Sequence, residues 1–286
     1  MRHATLISAA ELASHALDPD WVVIDCRHDL ANTAAGRAAY EAGHIPNAVF
    51  ADMDADLSSK LPGPNGEFRG RHPLPARDAF IDTLRSWGVN QDSQVIAYDA
   101  QGGMYAARLW WMLRWIGHEA VAVLDGGLPA WRAEGGPLVS EPAARARGNI
   151  IERAPVVSTV SAGELLADLS QPQPARIVID ARANDRFRGE NETLDPVGGH
   201  IPGAKNRFFK DNLQSDGRFK PAAQLRADFS ALIARPESAV MQCGSGVTAC
   251  HNLLAMEVAG LPGAALYPGS WSEWCADPSR PVATGA

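Results

Sequence analysis

Three short segments of this 286-residue chain occur twice, in the same order. The pairs are Val22–Arg27 with Ile177–Arg182, Gly43–Ala48 with Gly199–Ala204 and, more loosely, Gly126–Trp131 with Gly269–Trp274. Three ordered matches are hard to obtain by chance, and their separation is that of whole domains rather than the roughly 20–50 residues of a solenoid repeat. The chain is therefore a tandem duplication, and it is expected to fold into two similar halves.

Within each half, short runs rich in β-branched residues alternate with longer segments of helical pattern. The strand-like runs are 21–24, 94–98, 120–124, 177–179, 239–241 and 264–267, and the helical segments are 79–87, 106–116, 222–234 and 252–258. This alternation predicts an α/β fold, with a mostly parallel sheet flanked by helices in each half. Ligands of such sheets bind outside the carboxyl ends of the strands. Asp25, Asp99, Asp180 and Cys243 fall at those ends.

The boundary between the halves is expected where both patterns fail. Residues 140–155 are rich in Ala, Arg, Pro and Gly and have no clean apolar period, which is typical of a linker. The sequence thus predicts an N-terminal domain at 1–139, a linker at 140–155 and a C-terminal domain at 156–286.

Charge and cysteine content exclude several classes of partner. The formal net charge is −7 without a long basic run, so a nucleic-acid partner is not expected. The apolar runs are too short for a membrane span, and the N-terminus lacks the pattern of a secretion signal. Cys26, Cys243, Cys250 and Cys275 are too few for a disulfide framework, and Cys243-x6-Cys250-His251 lacks the usual zinc-ligand spacing. We expect no metal or cofactor, and a reducing, cytoplasmic setting.

The segment Cys243–Cys250 carries the strongest chemical signal. Cys243 follows a predicted strand, and a glycine-containing turn and a helix follow it. Backbone N–H groups of such a turn, together with a helix N-terminus, favour a thiolate and hence a nucleophile. In the first half Asp99 occupies the corresponding position, and a carboxylate cannot carry sulfur as a persulfide. The sequence therefore predicts one active site, in the second half.

These motifs closely resemble those of tandem-rhodanese sulfurtransferases over nearly the full chain. The resemblance rests on the paired Asp-x-Arg strand ends, the paired His-Ile-Pro-x-Ala segments and Asp125-Gly126-Gly127. The loop Cys-Gly-Ser-Gly-Val-Thr is similar to that of 3-mercaptopyruvate sulfurtransferases, whereas thiosulfate sulfurtransferases typically have basic residues after the cysteine. The resemblance implies that Cys243 takes a sulfane sulfur from a small-molecule donor as a persulfide. It then passes the sulfur to cyanide or a thiol, thioredoxin-like proteins among them.

The resemblance also implies roles for other residues. Arg186 is expected to hold the donor's carboxylate or sulfonate, and Ser245 to handle a proton. Asp54 and His72 match first-domain residues that reach across the domain interface towards that serine. The backbone N–H groups expected to cradle the transferred sulfur belong to the loop residues Gly244, Ser245, Gly246, Val247 and Thr248.

One position departs from the family pattern. Mercaptopyruvate enzymes usually carry a second arginine nine residues after the first, and here that position is Asp195. The expected consequences are an incomplete carboxylate clamp and a negative charge that repels anionic donors.

Alternative functions and roles stay open at this point. The activity is expected to be mercaptopyruvate sulfur transfer, with thiosulfate sulfur transfer or a persulfide carrier without turnover as alternatives. A cysteine phosphatase is excluded, because its phosphate-binding arginine would stand where the chain has Ala249. Cys250 is expected to pack in the core rather than act as a redox partner. Arg27 and Arg182 are expected to form structural ion pairs with the preceding aspartates.

Overall fold

A computed structural model describes residues 2–15 and 17–286, which form two compact units. The first unit contains the chain up to Ser59, Pro75–Val156 and Leu213–Phe219. The second contains Lys60–Leu74, Val157–Asn212 and Lys220–Ala286. Each unit thus includes a segment that lies in sequence within the other half. The domain boundaries expected from the sequence are those of the repeats, and they stay a prediction.

The first unit is built on a five-stranded sheet whose strands all pair in parallel. Its elements are β1 (Leu6–Ile7), α1 (Ala9–Ala13), β2 (Trp21–Asp25), α2 (Ala35–Ala42), β3 (Val49–Phe50), α3 (Arg77–Ser86), β4 (Gln94–Tyr98), α4 (Ala106–Trp115), β5 (Val121–Leu124) and α5 (Gly127–Ala133). The strand order is β1-β5-β4-β2-β3. β2 and β4 are buried along their whole length, which explains their continuous apolar sequence.

The second unit repeats this plan with a four-stranded parallel sheet in the order β7-β6-β8-β9. Its elements are α6 (Ala162–Leu169), β6 (Ile177–Asp180), α7 (Asn184–Arg188), β7 (Lys205–Asn206), α8 (Ala222–Ser230), β8 (Ala239–Gln242), α9 (Ala249–Val258), β9 (Ala265–Leu266) and α10 (Ser270–Trp274), with 3₁₀ turns at Phe209–Asn212 and Pro236–Ser238. Val178, Val240 and Tyr267 belong to the buried apolar core that includes α10. The predicted α/β fold is confirmed in both units.

Matching ion pairs fix the strand ends in the two units. Arg27 donates to Asp25 at 2.6 Å and to the carbonyl of Gly43 at 2.8 Å. Arg182 donates to Asp180 at 2.7 Å and to the carbonyl of Gly199 at 2.6 Å. All four side chains are almost fully buried, so each charge has its partner where water is excluded. The ion pairs expected from the sequence are present, and they tie the turn before His-Ile-Pro to the sheet.

The predicted helices differ from the observed ones at their ends. α9 begins at Ala249 rather than 252, because its first turn continues directly from the cysteine loop. α8 ends at Ser230 rather than 234. Residues 140–155 form no helix or strand, but the N–H groups of Gly148 and Ile150 donate to the carbonyls of Arg85 and Val89. In the described part of the chain, no helix has the length and apolarity that a membrane crossing requires.

Candidate active site

Cys243 lies directly after β8, at the carboxyl end of the second sheet. Its side chain is buried, with 2% exposed, and the N–H of Gly246 donates to its Sγ at 3.2 Å. Its own N–H donates to Ser270 Oγ at 3.1 Å, and that hydroxyl donates to the carbonyl of Tyr267 at 2.9 Å. Ser270 has φ +53°, a left-handed conformation that is uncommon for a residue other than glycine. The thiol is thus held by both its backbone and its sulfur.

The two glycines of the loop have different surroundings. Gly246 has φ +79°, and a Cβ atom built on it would lie 2.3 Å from the carbonyl oxygen of Pro268. Gly244 has an ordinary φ, but a Cβ atom there would lie 2.8 Å from Nη2 of Arg71. Gly246 permits the tight turn of the loop. Gly244 leaves room for the guanidinium of Arg71 next to Cys243.

Several N–H groups of this loop have no partner among the described residues. These N–H groups belong to Gly244, Ser245, Val247 and Thr248. They precede α9, whose N-terminus adds partial positive charge. Such a group of backbone donors favours an anion beside Cys243.

The corresponding loop of the first unit is filled by its own side chain. Asp99 is fully buried and follows β4 as Cys243 follows β8. One carboxylate oxygen accepts from the N–H groups of Gln101 and Gly103 at 2.8 and 2.9 Å, and the other from those of Tyr105 and Ala106 at 2.8 and 3.0 Å. The loop of the first unit therefore binds an anion through its backbone N–H groups. In the first unit that anion is permanent and belongs to the protein.

His72 and Ser245 form a side-chain pair beside the cysteine loop. Nδ1 of His72 lies 2.8 Å from Oγ of Ser245, and both residues are 7% exposed. His72 belongs to the segment Lys60–Leu74, which packs in the second unit although it precedes that half in sequence. A hydroxyl and an imidazole in hydrogen-bond contact can relay a proton.

Arg186 lies at the end of α7 and is held by two acidic residues. Its Nε and Nη2 donate to the Glu192 carboxylate at distances from 2.8 to 3.1 Å, and Nη2 also lies 3.4 Å from Asp195. Burial raises the pKa of Glu192, but hydrogen bonds from Arg186 and from backbone N–H groups leave it below its ordinary value. The carboxylates thus orient Arg186 towards the cysteine loop, where Nη1 would lie 3.6 Å from a Cβ atom on Gly244.

Asp195 forms a second ion pair, with Arg71. The carboxylate of Asp195 therefore contacts both Arg71 and Arg186, and the expected repulsion of anionic donors stays a prediction. Sequence reasoning missed Arg71, whose only local signal is that it precedes His72. It also missed Ser270, although its place in the repeat matches Gly127, which has φ +58°.

Asp54 lies in the first unit, where its N–H donates to the Asp52 carboxylate at 2.9 Å. Its predicted role towards Ser245 stays a prediction. The structure brings Cys243, Ser245, His72 and Arg186 together within the second unit.

The other three cysteines are buried thiols. Cys250 donates from Sγ to the carbonyl of Gly246 at 3.4 Å. Burial raises the pKa of Cys26, and Asp25 and Asp99 raise it further. Burial likewise raises the pKa of Cys275. A thiol with a raised pKa is a poor nucleophile near neutral pH, which agrees with the structural role expected for Cys26 and Cys275.

Comparison with known proteins agrees with this architecture. The rhodanese-like domain pattern matches residues 8–134 and 161–277. Over its full length and that of the relative, the chain is 49% identical to a probable 3-mercaptopyruvate sulfurtransferase of Pseudomonas aeruginosa. It is 40% identical to a putative thiosulfate sulfurtransferase of Mycobacterium tuberculosis, over 99% of this chain and 98% of that one. Among solved structures, 3-mercaptopyruvate sulfurtransferase of Leishmania major superposes with a TM-score of 0.83 at 32% identity, covering 95% of this chain and 74% of that one.

Proposed function

The chain belongs to the rhodanese family and is a sulfurtransferase, and from this premise we propose that it moves a sulfane sulfur from 3-mercaptopyruvate, through a persulfide on Cys243, to cyanide or a thiol. The difference between the two loops is the observation that carries the proposal. In the first loop, backbone N–H groups donate to the Asp99 carboxylate. In the second loop, N–H groups without partners among the described residues lie near a thiol; they belong to Gly244, Ser245, Val247 and Thr248.

In the first half-reaction, the Cys243 thiolate attacks the thiol sulfur of the donor and forms an S–S bond. The donor's C–S bond breaks, and its electron pair stays on carbon as the enolate of pyruvate. A proton added to that carbon gives pyruvate. In the second half-reaction, cyanide or a thiolate attacks the outer sulfur. The S–S bond breaks and the electron pair returns to Cys243 as a thiolate.

The loop supplies charge stabilisation for this cycle. A persulfide anion places its outer sulfur among the N–H groups that follow Cys243, where preorganised donors stabilise charge without reorganisation. The Gly246 N–H already contacts the inner sulfur. The His72–Ser245 pair provides the proton that the pyruvate enolate needs, because Ser245 is the loop hydroxyl and His72 can reprotonate it.

The donor assignment rests on charge. Ser245 places a neutral hydroxyl where thiosulfate enzymes typically have a cation, so the loop itself attracts a dianion less strongly. Mercaptopyruvate carries one carboxylate, which Arg186 is placed to hold while the thiol faces Cys243. The probable 3-mercaptopyruvate sulfurtransferase at 49% identity supports this choice.

Thiosulfate is the second candidate donor. Two guanidinium groups, those of Arg71 and Arg186, lie beside Gly244, and together they suit a dianion. The relative at 40% identity that is described as a putative thiosulfate sulfurtransferase agrees with this alternative.

For the acceptor, we propose cyanide in the assay and a cytoplasmic thiol, including those of thioredoxin-like proteins, in the cell. The four free cysteines support a reducing compartment. A carrier that accepts sulfur without turnover would give one persulfide per chain and no continuing release of pyruvate.

Steady-state rates with cyanide test the proposal. Mercaptopyruvate and thiosulfate are compared side by side, with thiocyanate measured as the common product and pyruvate as the product of the first donor alone. We expect continuing turnover and a higher kcat/KM for mercaptopyruvate. A higher kcat/KM for thiosulfate would overturn the donor assignment, and a single stoichiometric burst with both donors would identify a carrier.

A further inference from the structure

Arg71 carries a cation to the cysteine loop from a distant part of the sequence. A Cβ atom on Gly244 would lie 2.8 Å from Nη2 of Arg71 and 3.6 Å from Nη1 of Arg186. The two nitrogens are therefore at most about 6.4 Å apart, the sum of those distances. Neither nitrogen donates a hydrogen bond to an acceptor in the described part of the chain. Two charged donors thus converge on one point next to Cys243.

Carboxylates hold both guanidinium groups. Asp195 contacts Nη1 of Arg71 and Nη2 of Arg186, and Glu192 contacts Nε and Nη2 of Arg186. The side chains of Asp195 and Glu192 are only 3% and 4% exposed. These contacts orient the two arginines and leave Nη2 of Arg71 and Nη1 of Arg186 for a ligand beside Gly244.

The backbone of Arg71 is also fixed relative to the loop. Its N–H donates to Ser272 Oγ at 3.1 Å, and the N–H of Ser272 donates to the carbonyl of Gly244 at 2.9 Å. The next residue, His72, contacts Ser245. The chain at Arg71 is thus joined to Gly244 through Ser272 and to Ser245 through His72.

Asp195 pairs with both cations. Burial raises its pKa, although Arg71 and Arg186 act in the opposite direction. Its ion pairs with the two arginines fix where their guanidinium groups lie.

We propose that Arg71 is the second anchor for the donor's carboxylate, acting with Arg186, and that Asp195 is the residue that positions it. A carboxylate whose two oxygens each accept a charge-assisted hydrogen bond of about 2.8 Å can bridge the two nitrogens. Asp195 stands where mercaptopyruvate enzymes usually carry an arginine. In this chain it instead directs Arg71, which comes from another segment, towards the loop. Because both cations lie beside Gly244, the anchored carboxylate is near the sulfur to be transferred, which selects a short 2-keto acid.

Kinetics of charge variants test this inference, which rests on the proposed donor. Arg71→Gln should raise the KM for mercaptopyruvate about 10-fold or more, with a much smaller change in kcat, because it removes a charged hydrogen bond to the donor. Asp195→Asn should raise KM in the same direction, and the double variant should be no worse than Arg71→Gln alone. Arg188→Gln is the matched control, since Arg188 lies two residues after Arg186 and pairs with the exposed Glu190.

Binding of pyruvate, measured by calorimetry, gives a readout that does not depend on turnover. We expect it to weaken in Arg71→Gln and Arg186→Gln and to be unchanged in Arg188→Gln. Unchanged pyruvate binding and KM in a folded Arg71→Gln protein would overturn the inference. Absence of mercaptopyruvate turnover by the unmodified protein would instead overturn the proposed function, so the two failures are distinct.

Discussion

Nδ1 of His72 lies 2.8 Å from Oγ of Ser245, although 173 residues separate them in the chain. The contact exists because Lys60–Leu74 packs in the second unit rather than in the half of the sequence that contains it. The proposed proton relay rests on this pair, and its contribution can be separated from that of the nucleophile.

Ser245→Ala and His72→Asn should each lower kcat for mercaptopyruvate by about 100-fold, the lower range for general acid catalysis. Because the two groups act as one relay, the double variant should resemble either single variant. Thiosulfate releases sulfite, which needs no proton at carbon, so its turnover should fall less. Additive losses, or equal losses with both donors, would contradict a relay.

Cys243→Ser should reduce transfer at least about 1,000-fold, because a serine hydroxyl cannot carry sulfur as a persulfide. Intact-mass analysis after donor treatment should show one added sulfur in the unmodified protein and none in this variant. Cys26→Ser and Cys275→Ser should keep most of the activity, since burial raises the pKa of both thiols. Sulfur retained by the Cys243→Ser protein would refute the assignment.

Arg186→Ala should raise the KM for mercaptopyruvate by about 10- to 100-fold, the equivalent of a charged hydrogen bond. The change should fall mainly on KM, because the carboxylate is bound both before and during sulfur transfer. Steady-state kinetics with Arg188→Ala as the control measure it. A large fall in kcat with unchanged KM would show that Arg186 acts on the reacting atoms instead.

A fragment that begins at Val156 should lose most of its activity even where it folds. It lacks Lys60–Leu74, and with it both His72 and Arg71, which belong to the second compact unit. Circular dichroism establishes folding, and the cyanide assay measures transfer. Full activity in a folded fragment would show that His72, Arg71 and Asp54 are dispensable.

Two substitutions of Ser270 separate the effect of its backbone strain from that of its hydrogen bond with the Cys243 N–H. Ser270→Gly removes the strain of φ +53° but also the acceptor for the Cys243 N–H, so stability should change by less than about 1 kcal/mol. Ser270→Ala keeps the strain and loses the hydrogen bond, which should cost about 1–2 kcal/mol. Urea unfolding ranks the two. Both should transfer sulfur more slowly, and an alanine variant as stable as the glycine variant would contradict this account.

The sequence predicts the parts of the fold that depend on local pattern. β2, β4, β6 and β8 are largely buried apolar runs, and the loop after β8 has Gly246 where the backbone adopts φ +79°. The place of Cys243 at a strand end follows from these patterns.

The position of Lys60–Leu74 does not follow from local pattern. This segment contains no helix or strand, and its packing in the second unit is decided by tertiary contacts. No sequence motif therefore indicates that Arg71 lies at the cysteine loop. The sequence predicts that Asp195 repels the donor, because a carboxylate stands where the family usually has a second arginine, but local pattern does not reveal its contact with Arg71.

Asp99 limits what a single substitution could do to the first unit. Its two carboxylate oxygens accept four backbone N–H groups, whereas a cysteine there would offer them a single sulfur. Replacement of Asp99 by cysteine would thus leave buried donors unpaired before any sulfur could be loaded. A second reaction centre in the first unit would therefore need further changes in the loop, besides a thiol at this position.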